Sequence, residues 1–227
     1  MAGGECEEKR EDRAAAQARA ARLWEPGIFE DVHVVTPAEI LVVFALRAEA
    51  ADAFEGVASP LLFTGVGKVN SAWALTRSLM LNRPWLVLDF GTVGSPRFAP
   101  HTLVECTHFI QRDMDARPLG LPLGATPFDE LPAVLEVPRR LAGLPAVTCG
   151  SADHFVSGHD VGAADVVEME AYALARVCRL EGVEFMAIKY VTDGGDAGAH
   201  SDWQSNLPRA AAAFRAVYDR IVADGRA

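Results

Sequence analysis

Short apolar runs alternating with amphipathic stretches are the feature that most constrains the fold of this chain. Strands buried on both faces of a sheet are continuously apolar, whereas helices between them repeat apolar residues every three to four positions. The apolar runs lie at residues 40–46, 61–64, 85–90, 103–110, 145–149 and 185–191, and the helical stretches at 69–81, 170–180 and 203–222. The alternation predicts an α/β layered fold with a largely parallel or mixed central sheet.

The length of 227 residues suits one large domain. Residues 1–38 differ from the rest, because a charged, Ala-rich extension is followed by an irregular lead-in. We therefore expect a single catalytic domain over residues 39–227. The Pro-rich stretch 118–138 is predicted to be a mobile loop near a site.

Charge and composition exclude several function classes. Twenty-one basic residues against 31 acidic ones give a net charge of −10, which argues against a nucleic-acid partner. No apolar run reaches the roughly 20 residues that span a bilayer, so no membrane partner is expected. The highly charged N-terminus lacks an apolar core of the secretory type, which predicts a cytoplasmic protein. The four widely spaced cysteines predict reduced, mostly buried thiols rather than disulfides or a zinc site.

Glycine-rich and polar segments follow the predicted strands, where α/β proteins bind ligands. Familiar cofactor motifs do not account for them. Gly65-Val-Gly67 lacks the third glycine and the following acid of a dinucleotide site, so a tight turn is predicted. His154 and His159 match none of the common zinc spacings. No cofactor and no metal are expected.

Three carboxylates occupy more informative positions. Glu49 and Asp193 each come just after a predicted strand, and Glu170 lies at or near a helix start. Each alone is typical of a solvated loop or a helix cap. Together, beside glycine-bearing loops, they could surround one small ligand and divide acid and base roles.

Several segments together resemble the nucleoside phosphorylase/nucleosidase superfamily, and within it the methylthioadenosine/S-adenosylhomocysteine nucleosidase branch. The similarity covers roughly residues 39–224. Residues 167–171 (VEMEA) match a family signature letter for letter. The other matching segments are 40–49, 64–69, 91–94, 113–115, 151–155 and 192–196. The resemblance implies a three-layer α/β/α fold with a central mixed β-sheet, nucleoside phosphorylase-like.

The resemblance also implies roles for individual residues. Asp193 is expected to protonate the purine at N7, with a pKa raised by burial and nearby carboxylates, and Glu49 to take a proton from the attacking water. Glu170 is expected to hold the ribose hydroxyls. The remaining substrate-binding residues are expected to be Thr92, Gly94, Phe155, Val156, Met169 and Thr192. Gly91 to Gly94 are expected to form a loop that the ligand approaches closely.

The predicted function is hydrolysis of the N-glycosidic bond of a purine nucleoside by a homodimeric enzyme. Related phosphorylases carry a phosphate-binding Arg where this chain has Asp89, and an acid there would repel phosphate. Arg47 is the one residue favouring a phosphorylase, which stays an alternative beside a non-catalytic nucleoside-binding protein. Thr92 and Val93 replace the Ser and Ala of the family. The 5′ substituent therefore stays open among methylthioadenosine, S-adenosylhomocysteine, 5′-deoxyadenosine and a futalosine-type nucleoside.

Overall fold

The computed structural model describes residues 35–155, 161–193 and 199–225, and only the backbone of residues 199–202. Eight strands form one sheet: β1 (Ile40–Phe44), β2 (Leu61–Phe63), β3 (Leu86–Gly94), β4 (Leu103–Gln111), β5 (Val134–Glu136), β6 (Ala146–Ser151), β7 (Val166–Glu168) and β8 (Glu184–Asp193). The helices are α1 (Arg47–Ala50), α2 (Lys68–Leu81), α3 (Ala171–Glu181) and α4 (Ala199–Asp224).

The sheet is mixed, as predicted. Strand β1 pairs in parallel with β2 and β3, and β3 pairs in parallel with β8. Strand β4 is antiparallel to β8 and to β5. Successive pairings of β3, β8, β4, β6 and β7 return to β3, so these five strands form a closed ring. The side of the sheet near β1 and β2 stays open.

Alternating residues of the central strands divide the core into two halves. Leu41 and Val43 of β1 pack with α2 and α3, whereas Val42 and Phe44 pack with Phe214 and other residues of α4. This period-two alternation is that of a strand with helices on both faces. The predicted three-layer α/β/α fold is confirmed.

The described structure corrects four details of the prediction. Residues 91–94 continue β3 instead of forming a loop, and Asp193 ends β8 instead of following it. The stretch 118–138 contains β5, and none of it lines the cavity described below. Strand β7 was not predicted. Residues 1–34 lie outside the described residues, so the division at residue 38 stays a prediction.

Candidate active site

A cavity of about 230 Å³ opens where the parallel strands β1, β3 and β8 end. Carboxyl ends of parallel strands are where α/β proteins hold ligands. Most of the predicted site residues line it. The lining residues are Ala45, Leu46, Glu49, Val66, Thr92, Val93, Gly94, His154, Phe155, Val167, Glu168, Met169, Glu170, Thr192, Asp193 and Trp203. Val156, also predicted, lies outside the described residues.

Glu49 is held by three hydrogen bonds. It lies in α1, only 4% exposed. Its Oε1 accepts hydrogen bonds from the backbone N–H of Thr92 at 3.0 Å and from the Thr92 hydroxyl at 2.9 Å. Its Oε2 accepts one from the Leu46 N–H at 3.1 Å. Three donors suit an acceptor-only carboxylate, which is the form that a general base requires.

Asp193 is another buried acid of the cavity. It ends β8 and is 4% exposed. The hydroxyl of Thr192 donates a hydrogen bond to its Oδ2 at 2.7 Å. Because β3 and β8 run in parallel, with Gly94 in register with Asp193, the ends of both strands meet at the cavity. Two acids from separate strand ends, Glu49 and Asp193, therefore border the same space, as the sequence predicts.

The VEMEA signature forms β7 and the start of α3. Glu168 caps the helix, because its Oε2 accepts hydrogen bonds from the N–H groups of Glu170 and Ala171 at 2.8 and 2.7 Å. Carboxylates at a helix N-terminus are stabilised by its unpaired N–H groups. Glu170 itself turns to the cavity, and its Oε1 accepts a hydrogen bond from the Gly67 N–H at 2.8 Å.

Burial raises the pKa of Glu170 to about 8, and the negative charges of Glu168 and Glu49 add to the effect. This direction of shift favours the protonated form of Glu170 near neutral pH. A protonated carboxyl both donates and accepts hydrogen bonds. The role predicted for Glu170 from the sequence was that of a ribose-binding carboxylate, and its raised pKa was not predicted.

Glu170 is expected to make stability depend on pH. Its pKa rises from 4.5 to about 8 on folding. Between these values the folded state binds more protons than the unfolded state, so stability falls as pH rises through this window. Glu170→Gln removes this component, because glutamine stays neutral. We expect the melting temperature of the wild type to fall relative to that of the variant between pH 5 and pH 8.5.

Thermal unfolding at four pH values across that range checks this expectation. Glu55→Gln, at an exposed position, is the matched control and should follow the wild type. Parallel curves for wild type and Glu170→Gln would contradict the raised pKa.

Asp89 and Arg47, the two charged residues expected to repel or attract phosphate, do not line the cavity. Asp89 is 2% exposed, does not line the cavity and pairs with Lys189 Nζ at 2.7 Å. It therefore does not face a bound anion, and that part of the argument was wrong. Arg47 is exposed, with its guanidinium 4.4 Å from the centre of the Phe63 ring, and it also lies outside the cavity lining.

Lys189 packs closely against Gly91. A Cβ atom on Gly91 would lie 2.8 Å from Lys189 Nζ, so the end of the lysine would have to shift to accommodate one. The space at this position is filled by a buried lysine rather than by a ligand. Burial alone would lower the pKa of Lys189, but Asp89 and Glu168 raise it well above its ordinary value, so the lysine is charged.

A second ion cluster fixes the loop that follows β6. Lys68 Nζ lies 2.6 Å from Asp113 and 3.1 Å from Asp153, and the Lys68 N–H donates to Asp153 at 2.8 Å. These contacts tie the glycine turn before α2 to the loop that carries Phe155. Gly65 and Gly67 have φ angles of 80° and 94°, which confirms the predicted tight turn.

Trp203 is the site residue that sequence reasoning missed most clearly. It lines the cavity from α4, and its indole Nε1–H donates a hydrogen bond to Thr92 Oγ1 at 2.8 Å.

Among the described residues, no group of three or more His, Cys, Asp or Glu side chains could hold a metal ion. Nor does any helix in this part of the chain have the length and apolar character to cross a membrane.

Comparison with known proteins identifies the family of this chain. Residues 55–223 match the family model of the phosphorylase superfamily. The 5′-methylthioadenosine/S-adenosylhomocysteine nucleosidase of Haemophilus influenzae (strain 86-028NP) is 30% identical over 192 residues, which are 73% of this chain and 82% of that protein.

Two solved structures from Helicobacter pylori share the fold. One is a futalosine hydrolase mutant, and the other is a methylthioadenosine/S-adenosylhomocysteine nucleosidase mutant with 5′-methylthioadenosine in its active site. Each superposes with a TM-score of 0.75 at 21% identity, over 82% of this chain and 98% of the other.

Proposed function

The chain belongs to the phosphorylase superfamily, and from this premise we propose that it is a nucleosidase. It hydrolyses the N-glycosidic bond of a purine nucleoside of the 5′-methylthioadenosine/S-adenosylhomocysteine type, giving the free base and a ribosyl product. The relatives that match over most of their length are named for this activity.

The charge of the cavity favours water over phosphate as the nucleophile. Four carboxylates line it, those of Glu49, Glu168, Glu170 and Asp193, and none of its described lining residues is a lysine or arginine. Even with Glu170 and Asp193 protonated, and Glu168 near Lys189, a phosphate dianion would meet the negative charge of Glu49 with no lysine or arginine in the described lining to attract it. The acidic lining of the cavity is the single observation that favours hydrolysis, since Asp89 does not line the cavity.

The proposed chemistry uses two of the buried acids, Glu49 and Asp193. Water adds to C1′ of the ribose as the bond to the purine N9 breaks, and the bonding electrons leave with the purine. Asp193 donates a proton to N7 of the departing base, and Glu49 takes a proton from the water. Each such proton transfer contributes about 10²–10⁴-fold to the rate. Glu170 binds the ribose hydroxyls, and Phe155, Met169, Thr192 and Gly94 complete the described part of the binding site. Val156, which lies outside the described residues, stays a predicted member of it.

The 5′ substituent defines the experiment for this proposal. Release of adenine is measured for methylthioadenosine, S-adenosylhomocysteine and 5′-deoxyadenosine, with futalosine as a nucleoside of another base. We expect kcat/KM to be highest for one of the first two. Binding of all four without turnover would favour the non-catalytic role.

A homodimer is part of the proposal, and an exposed apolar stripe supports it. Val69, Trp73 and Met80 share one face of α2 and are 77%, 62% and 81% exposed. Val66, just before the helix, is also exposed and lines the cavity, so the stripe continues into the site. Contiguous exposed apolar surface of this kind marks an interaction site. A second copy seated there would border both cavities.

We expect Trp73→Glu to convert a dimer into a monomer, because a charge would be buried at the interface. Analytical ultracentrifugation measures the state. Leu180→Glu, which changes an exposed residue of α3, is the control and should stay dimeric. A monomeric wild type at micromolar concentration would contradict the dimer.

The proposed location is the cytoplasm, with a role in methionine salvage. Cys106, Cys149 and Cys178 are buried free thiols, which suits a reducing compartment. Accumulation of methylthioadenosine in cells lacking this protein would support the pathway, and unchanged levels would argue against it.

A further inference from the structure

A chain of two hydrogen bonds joins helix α4 to Glu49, the proposed general base. The indole of Trp203 donates to Thr92 Oγ1 at 2.8 Å, and the Thr92 hydroxyl donates to Glu49 Oε1 at 2.9 Å. Trp203 and Thr92 are 111 positions apart in the chain. The contact therefore depends on the tertiary fold, and it reaches the carboxylate through only one intermediate side chain.

The direction of this chain is fixed by chemistry. An indole N–H is a donor only, so Thr92 Oγ1 must accept from Trp203. The single hydroxyl proton of Thr92 is then directed at Glu49. A hydroxyl that accepts one hydrogen bond donates a stronger one, because each bond polarises the next. Trp203 thus strengthens the contact that orients the carboxylate.

Helix α4 also contacts strand β8, which ends at Asp193, the proposed general acid. Asn206 Nδ2 donates to the backbone oxygen of Thr192 at 2.9 Å, and the Thr192 hydroxyl donates to Asp193 at 2.7 Å. Trp203 and Asn206 are three positions apart, and so lie on one face of α4. One helix face therefore reaches toward both Glu49 and Asp193.

We propose that Trp203 is a positioning residue for catalysis, which acts through Thr92 to orient Glu49 for attack of water. This inference rests on the proposed nucleosidase function and adds a role for α4 to it. Trp203 is more than a wall of the cavity: its N–H determines how the Thr92 hydroxyl points, and a misdirected hydroxyl leaves the base less well oriented.

A double-mutant cycle separates the hydrogen-bond role from the wall role. Trp203→Phe keeps an aromatic wall and removes the donor, whereas Thr92→Val keeps the shape and removes the hydroxyl. We expect Trp203→Phe to lower kcat about five- to tenfold, equivalent to one hydrogen bond. In the Thr92→Val background its effect on kcat should vanish, while any effect on KM from the altered wall remains. In a Thr92→Ser background, which keeps a hydroxyl, Trp203→Phe should again lower kcat.

An equal effect of Trp203→Phe on kcat in both backgrounds, or no effect in the wild type, would overturn the proposal. Hydrogen exchange of the Trp203 indole N–H, followed by NMR, gives a readout independent of turnover. It should be slow in the wild type and faster in Thr92→Val, and an unchanged rate would also overturn the proposal. Failure of the proposed function is seen separately, as absence of base release by the wild type.

Discussion

Asp193→Asn is expected to lower kcat for adenine release by about 10²–10⁴-fold, because asparagine cannot supply the proton that we propose Asp193 gives to the departing purine. Asparagine has nearly the same shape, and the Thr192 hydroxyl, which donates to Oδ2 at 2.7 Å, retains an acceptor if the amide oxygen faces it. Substrate binding should therefore change little. Steady-state kinetics with methylthioadenosine, together with calorimetric binding of a non-hydrolysed nucleoside analogue, measure both quantities.

The leaving group provides a sharper test of this role. A 4-nitrophenyl riboside departs as a stable anion and needs no proton, so Asp193→Asn should lose far less activity on it. Asp219→Asn is the matched control, since Asp219 is exposed on α4 and pairs only with Arg215 among the ion pairs of the described chain. An equal loss on both substrates would show that Asp193 does not act as the acid.

Glu49→Ala is expected to reduce kcat by about 10²–10⁴-fold, because it removes the carboxylate that we propose takes a proton from the attacking water. The backbone N–H groups of Thr92 and Leu46, which both donate to this carboxylate, would lose their partner. A buried donor without an acceptor costs about 1–3 kcal/mol, so a lower melting temperature is also expected. Kinetics and thermal unfolding measure the two effects.

Chemical rescue distinguishes the catalytic effect from the structural one. The space left by the side chain should admit formate, which can act as the base, so added formate should restore part of the rate in Glu49→Ala. It should do nothing for Asp193→Asn, which serves as the matched control. A rate that stays low at all formate concentrations, in a variant that remains folded, would count against Glu49 as the base.

The sequence was enough to predict that Glu49, Glu170 and Asp193 lie close together. Two of these residues lie where parallel strands end, and the third belongs to a five-residue signature, so a general rule of α/β folds and a local motif both point to them. The layered fold could be predicted for a similar reason. Continuous apolar runs of strand length identify central strands without knowledge of their neighbours.

Other features depend on contacts between distant segments. Strands β5 and β7 each contain only two apolar residues followed by a glutamate, too short an apolar run to predict a strand, and pairing with neighbouring strands defines them. The buried pair of Asp89 and Lys189 arises because β3 and β8 lie side by side. Trp203 shows an apolar helical position in the sequence, and its hydrogen bond to Thr92 is visible only once the chain is folded.

Carboxylates around the cavity account for the preference for water, and the most direct test is the dependence of base release on phosphate. Adenine release from methylthioadenosine is measured in phosphate-free buffer and again with added inorganic phosphate, and the sugar product is identified by mass spectrometry. We expect the same rate in both buffers and free methylthioribose as the product. Release that requires phosphate, with methylthioribose 1-phosphate as the product, would contradict hydrolysis and make the protein a phosphorylase.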